Sequence, residues 1–200
     1  MQIDIRKLTS DDLEEFGTVS IAFTSHSRLR VEWIDQGIDG IRLSEEPLSE
    51  PLFKDFDAER GVGPQRWRSM FEDISHWGIF GAYTGSKIVG GAVVSYATPG
   101  FGMLEGRDDL AILTNIRVAP NYRSKGVGTA LFKQAVSFAQ TTPCERLKIQ
   151  TQNTNPSACR FYARQGCRLE RISPLSEDPT EFEVDLYFYL NLKNDRNQDE

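Results

Sequence analysis

Arg117-Val118-Ala119-Pro120-Asn121-Tyr122-Arg123-Ser124-Lys125-Gly126-Val127-Gly128-Thr129 decides how this chain reads: an apolar strand enters a basic, glycine-bearing turn that runs straight into a helix. Upstream, Leu110 to Val118 has the apolar composition of a buried strand, and Ala119-Pro120 closes it. Downstream, Val127 to Gln140 has helical periodicity. Backbone N–H groups at a helix start converge on an anion, and the helix dipole favours negative charge there. Glycines let the main chain approach such a ligand without an intervening Cβ. Arg123 and Lys125 can add charge. The segment lacks both the GxxxxGK[ST] of a nucleotide P-loop and the GxGxxG of a dinucleotide fold. A glycine-rich helix start that binds nothing has the same local pattern, so the surroundings must decide.

Met1 to Lys7 alternates as a half-buried strand does, and Thr9 or Ser10 with Asp11, Asp12 and Glu14 starts a helix. Prolines, glycines and clustered acids interrupt Leu29 to Gly63, where a short helix and then a long loop are expected. Trp67, Met70, Phe71 and Ile74 at helical spacing predict an amphipathic helix over Pro64 to His76. Trp77 to Tyr83 and Lys87 to Tyr96 flank Thr84-Gly85-Ser86 as the strands of a hairpin. After the glycine-rich loop Pro99 to Asp109 and the segment quoted above come a strand (Glu145 to Thr151), a helix (Pro156 to Gln165) and two strands, Cys167 to Ile172 and Phe182 to Leu192. The pattern predicts a mixed α/β sheet with helices on its faces in one domain, residues 1–192. The polar end, 193–200, reads as a disordered tail.

With 39% hydrophobic and 26% charged residues, this 200-residue chain has ordinary globular composition. A net charge of −6 and a pI near 5.1 argue against nucleic-acid binding and favour a cationic partner. Cys144, Cys159 and Cys167 are odd in number without CxxC spacing, and no apolar run is long enough for a signal or membrane helix, so a reducing cytoplasm is expected. His26 and His76 stand apart from any cysteine cluster, so no metal is expected. Oligomeric state is left open, a homodimer included.

Arg123-x-x-Gly126-x-Gly128, after a strand ending Ile116-Arg117-Val118-Ala119-Pro120, resembles the [Q/R]-x-x-G-x-[G/A] motif of the GNAT N-acetyltransferase superfamily. Asn155, Ala158, Phe161, Tyr162 and Gly166 continue the likeness on the following helix, about thirty residues on. Within the superfamily, Gln150-Thr151-Gln152-Asn153, Ala158-Cys159-Arg160-Phe161-Tyr162, Phe182-Glu183 and Tyr187-Phe188-Tyr189-Leu190 look like the streptothricin acetyltransferases. Cys167 departs from their usual Phe, and Thr114-Asn115 from their acidic pair.

The resemblance implies a GNAT-like, mostly antiparallel twisted sheet with helices on both faces and a splayed central strand pair. It also implies acetyl-CoA as co-substrate, lying along Ile116, Arg117 and Val118, with its pyrophosphate on Arg123, Ser124, Lys125, Gly126, Val127, Gly128 and Thr129 and its pantetheine arm near Asn155. The strand end Ile116 to Val118 would carry a bulge and splay from the Glu145 strand, and the amide of Val118 would face the thioester oxygen. Tyr162 is the implied acid for the departing thiolate, a phenol being protonated at neutral pH. Asn155 before Pro156 is also a natural N-cap, with Gly166 the terminator. A primary amine arrives protonated, so a base is needed: Glu183 is the candidate, with Asp185 and Asp109 behind it. A small cationic acceptor, of the streptothricin or polyamine type, suits an acidic protein. A protein N-terminal or lysine acetyltransferase and a non-catalytic acyl-CoA sensor remain the alternatives.

Overall fold

A computed structural model describes residues 2–61, 63–174 and 183–193. In chain order its strands and α-helices are β1 (Asp4–Leu8), α1 (Leu13–Gly17), β2 (Phe23–Trp33), β3 (Ile41–Lys54), α2 (Phe56–Arg60), α3 (Trp67–Met70) and β4 (Gly78–Thr84). They continue with β5 (Lys87–Ser95), β6 (Leu110–Val118), α4 (Val127–Ala139), β7 (Arg146–Gln152), α5 (Pro156–Arg164), β8 (Arg168–Pro174) and β9 (Val184–Asn191). Two compact units share them: the described residues of Met1–Ala22, Asp55–Ile149 and Leu190–Glu200 make the first, those of Phe23–Lys54 and Gln150–Tyr189 the second.

In the first unit β1, β4, β5 and β6 are successive antiparallel neighbours, and the start of β7 lies parallel to β6. The expected hairpin is β4–β5, turned by Gly85 at φ +61°. Inside β5, a Cβ on Gly91 would come within 2.3 Å of the Phe16 ring, so only glycine lets α1 close on the sheet there. At the expected helix start Thr9 and Asp12 form a capping box, which opens a 3₁₀ turn, Ser10–Asp12, ahead of α1.

The helix expected over Pro64 to His76 reduces to a 3₁₀ turn, Pro64–Arg66, and one α turn, α3. Phe71 is already extended, and the Asp73 carboxylate takes the Ser75 amide at 2.7 Å, a bond that competes with helix continuation. Ring packing holds the aromatic residues instead: Trp67 lies 6.1 Å from Phe16, and Phe71 lies 5.2 Å from both Trp77 and Phe101. Trp67 and Ile74 are buried, whereas Met70 is exposed.

Residues 29–63 also differ from expectation, because most of the stretch belongs to an antiparallel ribbon, β2–β3, in the second unit. Leu29 and Val31 alternate with charged neighbours, and the pair Arg28–Glu46, 2.5 Å apart, joins the strands. The ladder breaks between the Ser27↔Pro47 and Ser25↔Leu52 pairs, and β3 accommodates Pro51 inside that irregularity and Pro47 at its border. The short helix appears later than expected, as α2 in the first unit, N-capped by the Asp55 side chain.

Also in the second unit are α5, the end of β7 and the antiparallel pair β8–β9. The polar run Gln150-Thr151-Gln152-Asn153 ties these pieces together. Gln150 donates to Asp185 at 2.6 Å, Gln152 accepts from Lys54 at 2.7 Å, and Asn153 bonds both Leu29 on β2 and Val184 on β9. Phe182, the expected first residue of the last strand, lies outside the described residues, as do 194–200 of the expected tail.

Candidate functional site

The phosphate turn lies in the first unit, between a short 3₁₀ turn (Pro120–Tyr122) and α4. Ser124 and Gly126 take positive φ values of 59° and 84°, folding the chain back so that α4 begins abruptly. Gly126 is the N-cap and brings no side-chain cap. The hydrogen bond from the Ala130 amide to the Gly126 carbonyl, 3.0 Å, is the first of the helical i→i−4 series, so the amides of Val127, Gly128 and Thr129 precede it. A Cβ placed on Gly126 would meet no atom within 4 Å, so the approach to these amides is open. Such a donor set suits an anion.

Charge is distributed here differently from expectation. Lys125 is exposed, its ammonium 5.7 Å above the Tyr122 ring. Arg123 instead directs its guanidinium to main-chain carbonyls, Nε to Val118 at 3.0 Å and Nη2 to Ala22 at 2.7 Å. What the turn offers an anion at Arg123 is its backbone and the field of a nearby cation.

The register of β6 with β7 covers Leu110↔Arg146, Ala111↔Leu147 and Ile112↔Lys148; among the described residues, Leu113 to Val118 pair with β5 alone. A bulge accompanies this parting, at Thr114 rather than within Ile116 to Val118, since Val94 faces Leu113 while Val93 faces Asn115. The Ala119 amide bonds the Val89 carbonyl at 2.9 Å, toward β5. Strand alternation therefore turns the Val118 and Ile116 amides to the opposite edge, the one β7 leaves unpaired.

Arg117 was expected among the cofactor contacts, but its side chain is fully buried. It forks onto Asp57 with bonds of 2.8 and 3.0 Å, donates to the Val19 carbonyl at 2.9 Å and to Asn115 at 2.8 Å, and lies over the Phe16 ring. A charged residue inside an otherwise apolar strand is a sequence signal that a carboxylate must come from elsewhere. Nothing local shows that Asp57, sixty positions away, supplies it.

In the second unit Asn155 caps α5, its Oδ1 accepting the Ala158 amide at 3.1 Å, and Pro156 occupies the first helical position. Gly166, at φ +86°, ends the helix, with the Cys167 amide bonded to the Tyr162 carbonyl and the Gly166 amide to that of Ala163. Tyr162 is buried among Phe161 and Phe188. Burial pushes its phenol well above the ordinary value, so it is protonated across the neutral range.

The three carboxylate candidates are all engaged. Glu183 accepts from Lys54 at 2.6 Å, and the same buried ammonium bonds Gln152. Lys54 carries no sequence signal of its own at the end of β3. Asp185 is buried and accepts from Gln150. Asp109 is gripped by Arg107 at 2.8 and 2.7 Å, which holds its carboxyl below the usual range. Among the described residues no three metal-ligating side chains cluster.

Streptothricin acetyltransferase A of Bacillus subtilis (strain 168) is 27% identical over 191 residues, 94% of this chain and 99% of that protein. The streptothricin acetyltransferase of Streptomyces lavendulae is 26% identical over 82% of the chain and 80% of its own length. The crystal structure of nourseothricin acetyltransferase superposes with a TM-score of 0.70 at 26% identity, covering 96% of this chain and all of that one. An acetyl coenzyme A complex from Bacillus anthracis str. Ames shares the fold, with a TM-score of 0.73 at 23% identity over 95% and 99% of the two chains. With the model of the acetyltransferase (GNAT) family matching residues 44–167, across the strand, the turn and both motif helices, the chain belongs to that family.

Proposed function

We propose that this N-acetyltransferase moves an acetyl group from acetyl-CoA to a primary amine on a small cationic molecule, of the streptothricin or polyamine type. The observation that carries the reading is the open start of α4, where amides precede the first helical bond at Ala130 and Gly126 leaves their approach clear. The names of the relatives matched along nearly the whole chain support the choice of acceptor class.

Acetyl-CoA supplies an activated thioester carbonyl. The chain's own groups divide the remaining work. Residues 123–129 hold the pyrophosphate through main-chain amides, with Ile116 to Val118 along the pantetheine arm. The Val118 amide, turned to the unpaired edge of β6, donates to the thioester oxygen as negative charge develops there. Losing one such donor typically costs about 100- to 1,000-fold in rate. Asn155 contacts the pantetheine arm while capping α5. Tyr162, kept protonated by burial, gives its proton to the departing thiolate. Glu183, held by Lys54, takes the proton of the incoming ammonium. Residues 1–192 act as one catalytic domain.

A panel of amines, streptothricin, polyamines and a lysine peptide among them, assayed for release of free CoA tests the reading. Rapid release with streptothricin or a polyamine is expected. Release with the peptide alone, or with no amine while acetyl-CoA still raises the melting temperature, would overturn it.

A further inference from the structure

Past Ile112, β6 is paired on one edge only among the described residues, yet its far end carries the amide assigned to the thioester. A strand that has lost half its ladder needs other restraints to hold an amide within the few tenths of an ångström that oxyanion stabilisation requires. Two side chains provide them. Arg117, one residue before Val118, reaches the Val19 carbonyl at 2.9 Å. Arg123, five residues after it, reaches the Val118 carbonyl itself at 3.0 Å and the Ala22 carbonyl at 2.7 Å.

Both arginines therefore close on the same short segment, Val19 to Ala22, from either side of Val118. Arg117 is fixed further by its fork to Asp57 on α2, by Asn115 and by the Phe16 ring beneath it. Planar guanidinium groups suit the task, because their several donors satisfy fixed acceptors in different directions at once. A lysine ammonium would keep the charge and lose that geometry.

We propose that Arg117 and Arg123 form a clamp that positions the Val118 amide for catalysis, with Asp57 setting the orientation of Arg117. Both are positioning residues, acting through the strand end on the thioester carbonyl. The proposal rests on the acetyl-CoA reading given above, and its test separates failure of one from failure of the other.

Isotope-edited infrared spectroscopy of bound [1-¹³C]acetyl-CoA reads hydrogen bonding at the thioester oxygen directly. In the wild type the carbonyl band is expected below its position in free solution. In Arg117→Lys, and in the milder Asp57→Asn should the first fold poorly, the band moves back toward the free value. The rate kcat falls about tenfold or more, while the calorimetric Kd for CoA stays within about twofold. Arg123→Lys behaves in the same way. A displaced wild-type band that stays in place in all three variants would overturn the clamp and leave the acetyl-CoA reading standing. Absence of any bound signal in the wild type would refute the acetyl-CoA reading itself, and the clamp with it.

Discussion

The buried ammonium of Lys54 lies 2.6 Å from Oε2 of Glu183 and 2.7 Å from Oε1 of Gln152, so one cation closes the end of the β2–β3 ribbon onto two acceptors. Lys54→Met leaves both without it. A charged hydrogen bond of this kind contributes about 1.5–3 kcal/mol. Chemical denaturation should show a loss of that order. A variant as stable as the wild type would mean the pair contributes nothing to the fold.

Glu183→Gln keeps the shape of the side chain and removes its charge. If Glu183 receives the amine proton, kcat falls about 100-fold, the usual order for a positioned base. Steady-state kinetics on the folded variant decides the matter, since wild-type turnover with a lowered melting temperature would leave Glu183 only its bond to Lys54.

Tyr162→Phe should lower turnover by about 100-fold or more. The Kd for CoA should change little, because the ring and its packing against Phe188 survive. An unchanged kcat with a competent amine would take the proton-donor role from this residue.

Gly126→Val places a β-branched residue at φ +84°, a conformation costing about 1–2 kcal/mol for L residues, and fills the open space before the α4 amides. Acetyl-CoA should then no longer raise the melting temperature as it does for the wild type. A ligand-induced shift equal to that of the wild type would show that the anion binds elsewhere.

Burial pushes the Cys159 and Cys167 thiols from 9.0 up to about 12. A folded-state value above the unfolded one favours the protonated form, so its stabilising effect is complete below pH 9 and is lost as pH rises toward 12. Urea midpoints should be level from about pH 7 to 8.5 and decline above pH 9. The double variant Cys159→Ala/Cys167→Ala should flatten that decline, and equal slopes in both proteins would contradict the assignment.

Where local chemistry dictates structure, the sequence was legible. Gly85 turns its hairpin, Asn155-Pro156 starts α5, Gly166 stops it, and Gly126 opens α4. The misread stretches are those where distant packing overrides local pattern. Trp67, Phe71 and Ile74 have helical spacing, but after a single α turn Trp67 and Phe71 are held by ring contacts with Phe16, Trp77 and Phe101, and Ile74 is buried in the same cluster. Pro47 and Pro51 argue against a strand, and nothing in the sequence shows that they fall at an irregularity in its pairing. At the site, the motif placed the turn, yet it did not show that Arg123 spends its guanidinium on carbonyls. The partners of Lys54 and Arg117 lie 129 and 60 positions away, beyond any local periodicity.

The way Arg117 and Arg123 grip Val19 and Ala22 separates the boundary of a sequence family from the boundary of a working enzyme. The family match begins at residue 44, downstream of both carbonyls. A fragment cut to the matched region would retain every motif residue of the α4 turn and of α5, yet leave two cations reaching for acceptors that had been trimmed away. On the clamp proposal, the segment after the opening helix, which lies ahead of the matched region, would serve catalysis as a buttress.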